Sequence, residues 1–234
     1  TAHVRIYKEI QISEKQPADF INQKGHNFVS SIKPKNELLG INNSKTIISS
    51  LENDERVLGV APKISAQVFY NVGAVDLTGA IFGIDPVEEN RLFKFSDYVT
   101  SGNYIDLKNI PNSIILGKGV ATKMMASVGD VIQVTTSKGD QVALRVVGIF
   151  QSGIRELDNV QSYCSLSTTQ KILGQPSNYI TDIQVKLKDI LWAHEVAKEY
   201  KKVYELNAVD IQTANSQFET GSSVRTLISY AVGI

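Results

Sequence analysis

Two long runs of alternating residues, Arg56 to Tyr70 and Val72 to Ile84, limit what this chain can become. Apolar side chains at every second position put one face of each run into a core and leave the other outside, which is strand periodicity rather than helix periodicity. The connection around Asn71 to Gly73 sets an asparagine, tolerant of left-handed backbone, close to a glycine, so the runs read as an antiparallel pair. Pro62 interrupts the first run. It removes a ladder donor, so that strand begins after it or lies at a sheet edge. Gly83-Ile-Asp-Pro-Val87 ends the second run with a turn, because proline fixes φ and aspartate bonds back to the local backbone.

The rest of the chain can be placed around this pair. Residues 2 to 12 alternate as a strand, with Val4, Ile6, Ile10 and Ile12 on one face. Residues 13 to 42, punctuated by Pro17, Gly25, Pro34 and Gly40, read as an ordered excursion with short helical turns. Asn42 or Asn43 can cap a helix over 44 to 54 that puts Ile47, Ile48 and Leu51 on one side. From about 113 the strands become short and strongly apolar. Ser113-Ile-Ile-Leu116 leads through Gly117-Lys-Gly119 into a short helix ending at Met125. Val131 to Thr136 and Gln141 to Phe150 form a hairpin turned by Ser137-Lys-Gly-Asp140, with Val142, Leu144 and Val146 facing one way. Tyr163 to Leu166 adds a strand and Thr168 to Leu173 a helical turn stopped by Gly174 and Pro176. Tyr179 to Leu187 is a strand, Asp189 caps a helix striped by Leu191, Val196, Tyr200 and Val203, and Ala208 to Ile211 is short and β-like. From Asn215 a polar helix grades into an apolar end.

Charge and composition exclude several classes. Lysine plus arginine and aspartate plus glutamate both number 24 in the 234 residues, so no net positive field draws a polyanion, and a nucleic-acid partner is not expected. Lys198, Lys201 and Lys202 alternate with Glu195, Glu199 and Glu205 as a solvated helix face does. Cys164 is the single cysteine, which removes any intrachain disulfide; its place in an alternating run suits a small buried apolar residue. No apolar run reaches the 18 residues a membrane span needs. The strand-like opening at Thr1 and the apolar close from Val224 to Ile234 fit either a segment flanked by hydrophobic helices or an ordinary C-terminal helix.

None of the chemical motifs completes itself. Gly117-Lys-Gly119 stands where a phosphate loop would, yet a P-loop needs four residues between its first glycine and Gly-Lys-Ser/Thr, and a dinucleotide loop needs three glycines in register. His3, His26 and His194 lie in separate elements without zinc spacing. Asp130, Asp140, Asp158 and Asp182 sit at turns or strand starts, where aspartate bonds to backbone, and they lack the every-second-residue spacing of a calcium loop. Gln151-Ser152-Gly153 is not a nucleophile elbow, and Glu88-Glu89 and Asp54-Glu55 could serve a carboxylate hydrolase only by pairing through space. The reading is therefore a binding or mechanical module, not an enzyme, with no catalytic, metal or cofactor residue assigned.

Several phrases, taken in order, resemble the periplasmic core domain of MacB-type and LolC/LolE-type ABC transporter permeases. They are Ala2-His-Val-Arg-Ile6, Val60-Ala-Pro-Lys-Ile64, Phe82-Gly-Ile-Asp-Pro86, Ile114-Ile-Leu-Gly-Lys-Gly-Val-Ala121, Val128-Gly-Asp-Val-Ile132 and Val146-Val-Gly-Ile-Phe-Gln-Ser-Gly153, followed by Glu156-Leu-Asp158. The resemblance implies an α+β fold: a discontinuous porter-like α/β lobe over 1–95 and 178–215, an inserted β-rich sabre-like lobe over 96–177, and the start of a second transmembrane helix over 216–234. It also implies a domain in the periplasm, carried by an inner-membrane protein. Its partners would be a cytoplasmic ABC ATPase subunit, a second permease copy or paralogue, and a lipoprotein or exported cargo moved by mechanotransmission. The alternatives are a free-standing extracytoplasmic binding module and a hydrolase with a carboxylate site. In the family the subunit that recruits a lipoprotein chaperone carries a long hook in its sabre hairpin; the turn here is only Ser137 to Asp140, which argues against recruitment by that route.

Overall fold

A computed structural model of the chain describes residues 2–8, 39–72 and 75–214. Ile10, Ile12, His26, most of the 13–42 excursion and the apolar end from 215 lie outside these residues.

One group of strands makes a sheet with the order β10-β1-β9-β2, formed by β1 (Val4–Tyr7), the first half of β2 (Val57–Val72), β9 (Asp182–Leu187) and β10 (Asn207–Asp210). β9 runs antiparallel to both β1 and β2, and β1 antiparallel to β10. The result is the split βαβ arrangement of ferredoxin-like folds. Alternation decides its core: Val4, Ile6, Val60, Ile183, Val185 and Leu187 point to the face covered by α1 (Ser44–Glu52) and by α7 (Ala193–Tyr204), which deliver Leu51, Val196, Ala197 and Tyr200. β2 starts at Val57, upstream of Pro62. Over 57–63 it pairs with β9 alone, so the proline occupies a sheet edge, the second of the two placements expected for it.

Beyond Lys63 the same strand changes partners. Ile64–Val72 pairs with β3 (Val75–Ile84), and the ladder continues through β8 (Gln161–Ser165), β5 (Ser113–Gly117), β7 (Gln141–Phe150) and β6 (Val131–Thr136). β6 then returns to β2 at Val68–Tyr70, closing a six-stranded barrel. Every strand sends alternate residues inside: Val68 and Tyr70, Ile81, Cys164, Ile114 and Leu116, Leu144 and Val146, Ile132 and Val134. A six-stranded barrel this size leaves room only for side chains, so the interior is core and not channel. Cys164 is part of it, fully buried, with burial pushing its thiol pKa upward. β4 (Val99–Gly102) adds an edge beside β7. A 3₁₀ turn (Phe95–Tyr98) and α3 (Asp106–Asn109) cover the outside of β5, where Phe95 and Leu107 meet Ile115, Val147, Phe150 and Tyr163. Buried on both faces, β5 reads as a continuous apolar run rather than an alternating one.

The α+β class stands, and the hairpin at 131–150 has the strands and the short turn that its sequence calls for. Several features differ from expectation. Leu191 and Val203, expected in the apolar stripe of the last helix, are exposed, Leu191 because it falls in the 3₁₀ turn Ile190–Trp192 ahead of that helix. The residues after Gly83 do not merely turn: Pro86–Phe93 is a helix, α2, with Asp85 as N-cap accepting from the amides of Val87 (2.9 Å) and Glu88 (3.3 Å). Strands 64–72 and 75–84, inside the stretch assigned to the porter-like lobe, hydrogen-bond to strands of the 96–177 stretch, because alternation gives a strand its faces but not its neighbours.

Candidate functional site

The place where β2 passes from sheet to barrel is where the chain concentrates buried charge. Thr181, itself fully buried, satisfies the backbone there: its amide donates to the Lys63 carbonyl (3.1 Å) and its hydroxyl accepts from the Ser65 amide (2.9 Å). Sheet and barrel are thus joined by a continuous strand whose backbone is hydrogen-bonded at the crossing, not by a loose linker.

The helix α2 follows barrel strand β3 and lies on the face of the four-stranded sheet that α1 and α7 leave open. Gly59 permits the approach, since a Cβ there would come within 2.6 Å of Leu92 Cδ2. Lys63 Nζ donates to Glu89 Oε1 (2.6 Å), Lys186 Nζ donates to the Leu92 carbonyl at the end of the helix (2.5 Å), and both ammonium groups face the Phe93 ring (5.8 and 5.7 Å). Beside this clamp Arg5 Nε donates to Asp182 Oδ2. Asp182 and Glu89 are 4% and 7% exposed at the side chain, whereas Arg5 is 47% exposed, so the pair combines a buried carboxylate with a half-hydrated guanidinium. Burial pushes the Asp182 carboxyl above the usual carboxylate range, against the pull of Arg5 and Lys63. Asp182 Oδ1 and Glu89 Oε2 are buried without a hydrogen-bond partner.

A cleft of about 420 Å³ opens over this cluster, walled by Arg5, Lys63, Asp182 and Gln184 from the sheet and by Ser65, Phe82, Gln161 and Tyr163 from the barrel. A second concavity of about 480 Å³ lies on the barrel, between β4 and α4 (Lys118–Met124), beside the exposed Met125 and Val128. The arrangement ties the sheet to the barrel.

Of the residues weighed from sequence, Asp182 and Glu89 belong to this cluster, and the others described go elsewhere. Gly117 and Gly119 serve packing: a Cβ on Gly117 would fall 2.5 Å from the carbonyl oxygens of both Asp158 and Gln161, and one on Gly119 2.1 Å from Asn159 Oδ1. Lys118 donates to Gln151 Oε1 (3.1 Å). Asp130 accepts from the Ser127 amide and Asp158 from the Ser152 amide and hydroxyl, both local turn bonds. Glu88 pairs with Arg91 on α2, and Asp54 takes Arg56 and the Tyr200 hydroxyl (2.9 Å). His194 Nδ1 lies 3.2 Å from Asp210 Oδ2, and His3 Nδ1 accepts from the Leu187 amide. No three His, Cys, Asp or Glu among the described residues lie together as a metal site would need. Sequence reasoning singled out Glu89 and Asp182 for other roles and missed their partners, Lys63 for Glu89 and Arg5 for Asp182, which come from separated segments. Asp85-Pro86 followed by Glu88-Glu89 was the one local signal, an N-cap, a proline at N1 and acids in the first turn.

Comparison with known proteins bears on the whole arrangement. The family model described as the MacB-like periplasmic core domain matches residues 11–203. Among curated proteins the chain is similar to the lipoprotein-releasing system transmembrane protein LolC of Neisseria meningitidis, 27% identical over 173 residues, and to that of Xylella fastidiosa, 27% identical over 155 residues. These alignments take in 68% and 62% of the chain, which spans only 41% and 37% of those relatives. Two solved structures share the fold with a TM-score of 0.55. One is the periplasmic region of MacB from Actinobacillus actinomycetemcomitans, at 16% identity, covering 94% of this chain and 93% of that one. The other is the extracellular domain of the noncanonic ABC-type transporter YknZ from Gram-positive bacteria, at 13% identity, covering 90% and 100%.

Proposed function

The chain belongs to the MacB-like periplasmic core domain family, and from that membership we propose that it is the extracytoplasmic domain of an ABC transporter permease, held outside the inner membrane in the periplasm. The observation that carries the reading is the family match across residues 11–203, supported by the shared two-lobe fold. The four-stranded sheet is then the porter-like lobe and the barrel the sabre-like lobe. A cytoplasmic ATPase unit supplies the energy, membrane helices relay its closure, and this domain, paired with a second copy or a paralogue, grips and releases its cargo. The names of the LolC relatives favour a lipoprotein as that cargo.

The structure supports a mechanical role through its connections. β2 is common to both lobes, and α2 ties the barrel strand before it to the sheet through Lys63–Glu89 and Lys186. A displacement of the sheet would pass to the barrel through β2 and α2. Photo-reactive residues at the exposed Met125 and Val131, in the membrane protein that carries this chain, test the reading in cells. Capture of a lipoprotein or a sister permease is the expected result. Capture of only unrelated soluble proteins at both positions would overturn it.

A further inference from the structure

The end of the sheet that holds residues 2–3 and 211–214 carries an apolar turn that the described residues leave exposed. The His3 amide donates to the Val185 carbonyl, the Ile211 amide to the His3 carbonyl, and the Leu187 amide to His3 Nδ1, so residues 2–3, 187 and 211 share one end. The chain then runs from Lys188, bonded to the Arg56 carbonyl, into the 3₁₀ turn Ile190–Trp192, which Asp189 caps by accepting from the Leu191 amide (2.9 Å). Ile190, Leu191 and Trp192 are 42%, 78% and 44% exposed, and Leu58 at the foot of β2 is 49% exposed. Scattered exposed apolar residues are ordinary, but three in succession in a capped turn, with the exposed Lys188 beside them, are not.

We propose that the Ile190–Trp192 turn seats in the headgroup region of the bilayer on the side where this domain stands, so that the porter-like lobe rests on the lipid surface instead of hanging free of it. The inference rests on the membrane-protein reading above. Three observations select lipid as the occupant. Residues 2–3 and the helical residues 211–214, the first and last described, both lie at this end. The relatives it matches are transmembrane proteins more than twice as long as the aligned stretch. The side chains are those of an interface: tryptophan holds an apolar ring and an N–H at headgroup depth, leucine and isoleucine reach the acyl boundary, and a lysine can extend to a phosphate. Contact here gives the lobe a fixed height and orientation over the membrane, so that movement of the helices tilts it as a lever instead of spinning it on its tethers.

Trp192 is the only tryptophan, so its emission reports on this turn alone. The whole chain, attached through a C-terminal histidine tag to nickel-chelating vesicles of phosphatidylethanolamine and phosphatidylglycerol, is compared on plain lipids and on lipids brominated along the acyl chains. Seating of the indole at the interface predicts loss of about half of the emission on brominated vesicles, and Leu191→Asp, which keeps the fluorophore, brings the loss below about a tenth. Equal emission on both vesicles, from chain whose circular dichroism shows it folded, overturns the proposal. So does a blue shift that grows with protein concentration and needs no lipid, since the turn would then be covered by a second copy. Either failure leaves the family reading intact, because that reading is tested by captured partners and not by lipid contact.

Discussion

Replacing Gly117 by alanine separates a packing role for the Gly-Lys-Gly turn from a phosphate-binding one. The added methyl would lie 2.5 Å from two backbone oxygens, those of Asp158 and Gln161, where real Cβ contacts essentially never fall below 3.0 Å. Neither oxygen can swing away as a side chain would. Asp158 ends α5 (Arg155–Asp158), Gln161 begins β8, and the Val160 carbonyl between them holds the Ala80 amide at 2.9 Å. Relief therefore means shifting the start of a barrel strand, an overpacking cost of about 3 kcal/mol. For a chain of this length that lowers Tm by about 6–12 °C. Gly139→Ala is the control: its φ of +93° strains an alanine, but no atom lies within 4 Å, so the loss is only about 1 kcal/mol. Thermal melts followed by circular dichroism read both. A Gly117→Ala variant as stable as the parent, or less affected than Gly139→Ala, would refute the reasoning.

Asp182→Asn is expected to leave stability within about 1 kcal/mol of the parent or to raise it, because the half-exposed Arg5 keeps its hydration and a costly buried carboxylate is gone. The folded state holds the Asp182 proton above the ordinary 3.8, so this group's contribution falls as pH rises from about 4 through its folded value, and urea melts across pH should lose that slope in the variant. Asp54 behaves oppositely: hydrogen bonds from Arg56 lower it to about 2, so its stabilisation is full above pH 4 and lost as pH falls toward 2, and Asp54→Asn should flatten that acid limb. Tyr70→Phe should change stability by less than about 1 kcal/mol in chemical denaturation, since the buried Tyr70 hydroxyl faces the Ser162 side chain without a well-formed hydrogen bond; a loss above about 2 kcal/mol would show that contact to be a strong bond.

What could be read from the sequence was what is local. The 131–150 hairpin declares itself because period-two alternation and Gly-Asp turn chemistry both lie within twenty or so residues. Within one strand Val4 and Ile6 share a face, and within another Ile183, Val185 and Leu187 do, as their alternation requires, because a strand's pleat fixes its faces; that the two sets meet in one core is not local information. Closure of the barrel was not legible, since the pairing of Tyr70 with Val134 joins segments whose alternation fits many partners equally. Asp182 shows the same limit at the site. Beside a strand start it reads as a turn-forming aspartate, and only the fold brings Arg5, 177 residues away, against it. Pro86–Phe93 was legible in principle from its N-cap and proline, but the same Asp-Pro pair also writes a turn, and eight residues of weak periodicity do not decide between them.

If this chain is the outer part of an ABC permease, the protein that carries it works with an ABC ATPase unit. Isolating from membranes the full-length protein that contains it, and assaying the isolated material for an ABC ATPase unit, on the same chain or on a tightly associated one, tests that directly. The account predicts such a unit in stoichiometric amount with vanadate-sensitive ATP hydrolysis. Intact, folded protein that brings no ATPase unit and hydrolyses no ATP would contradict it.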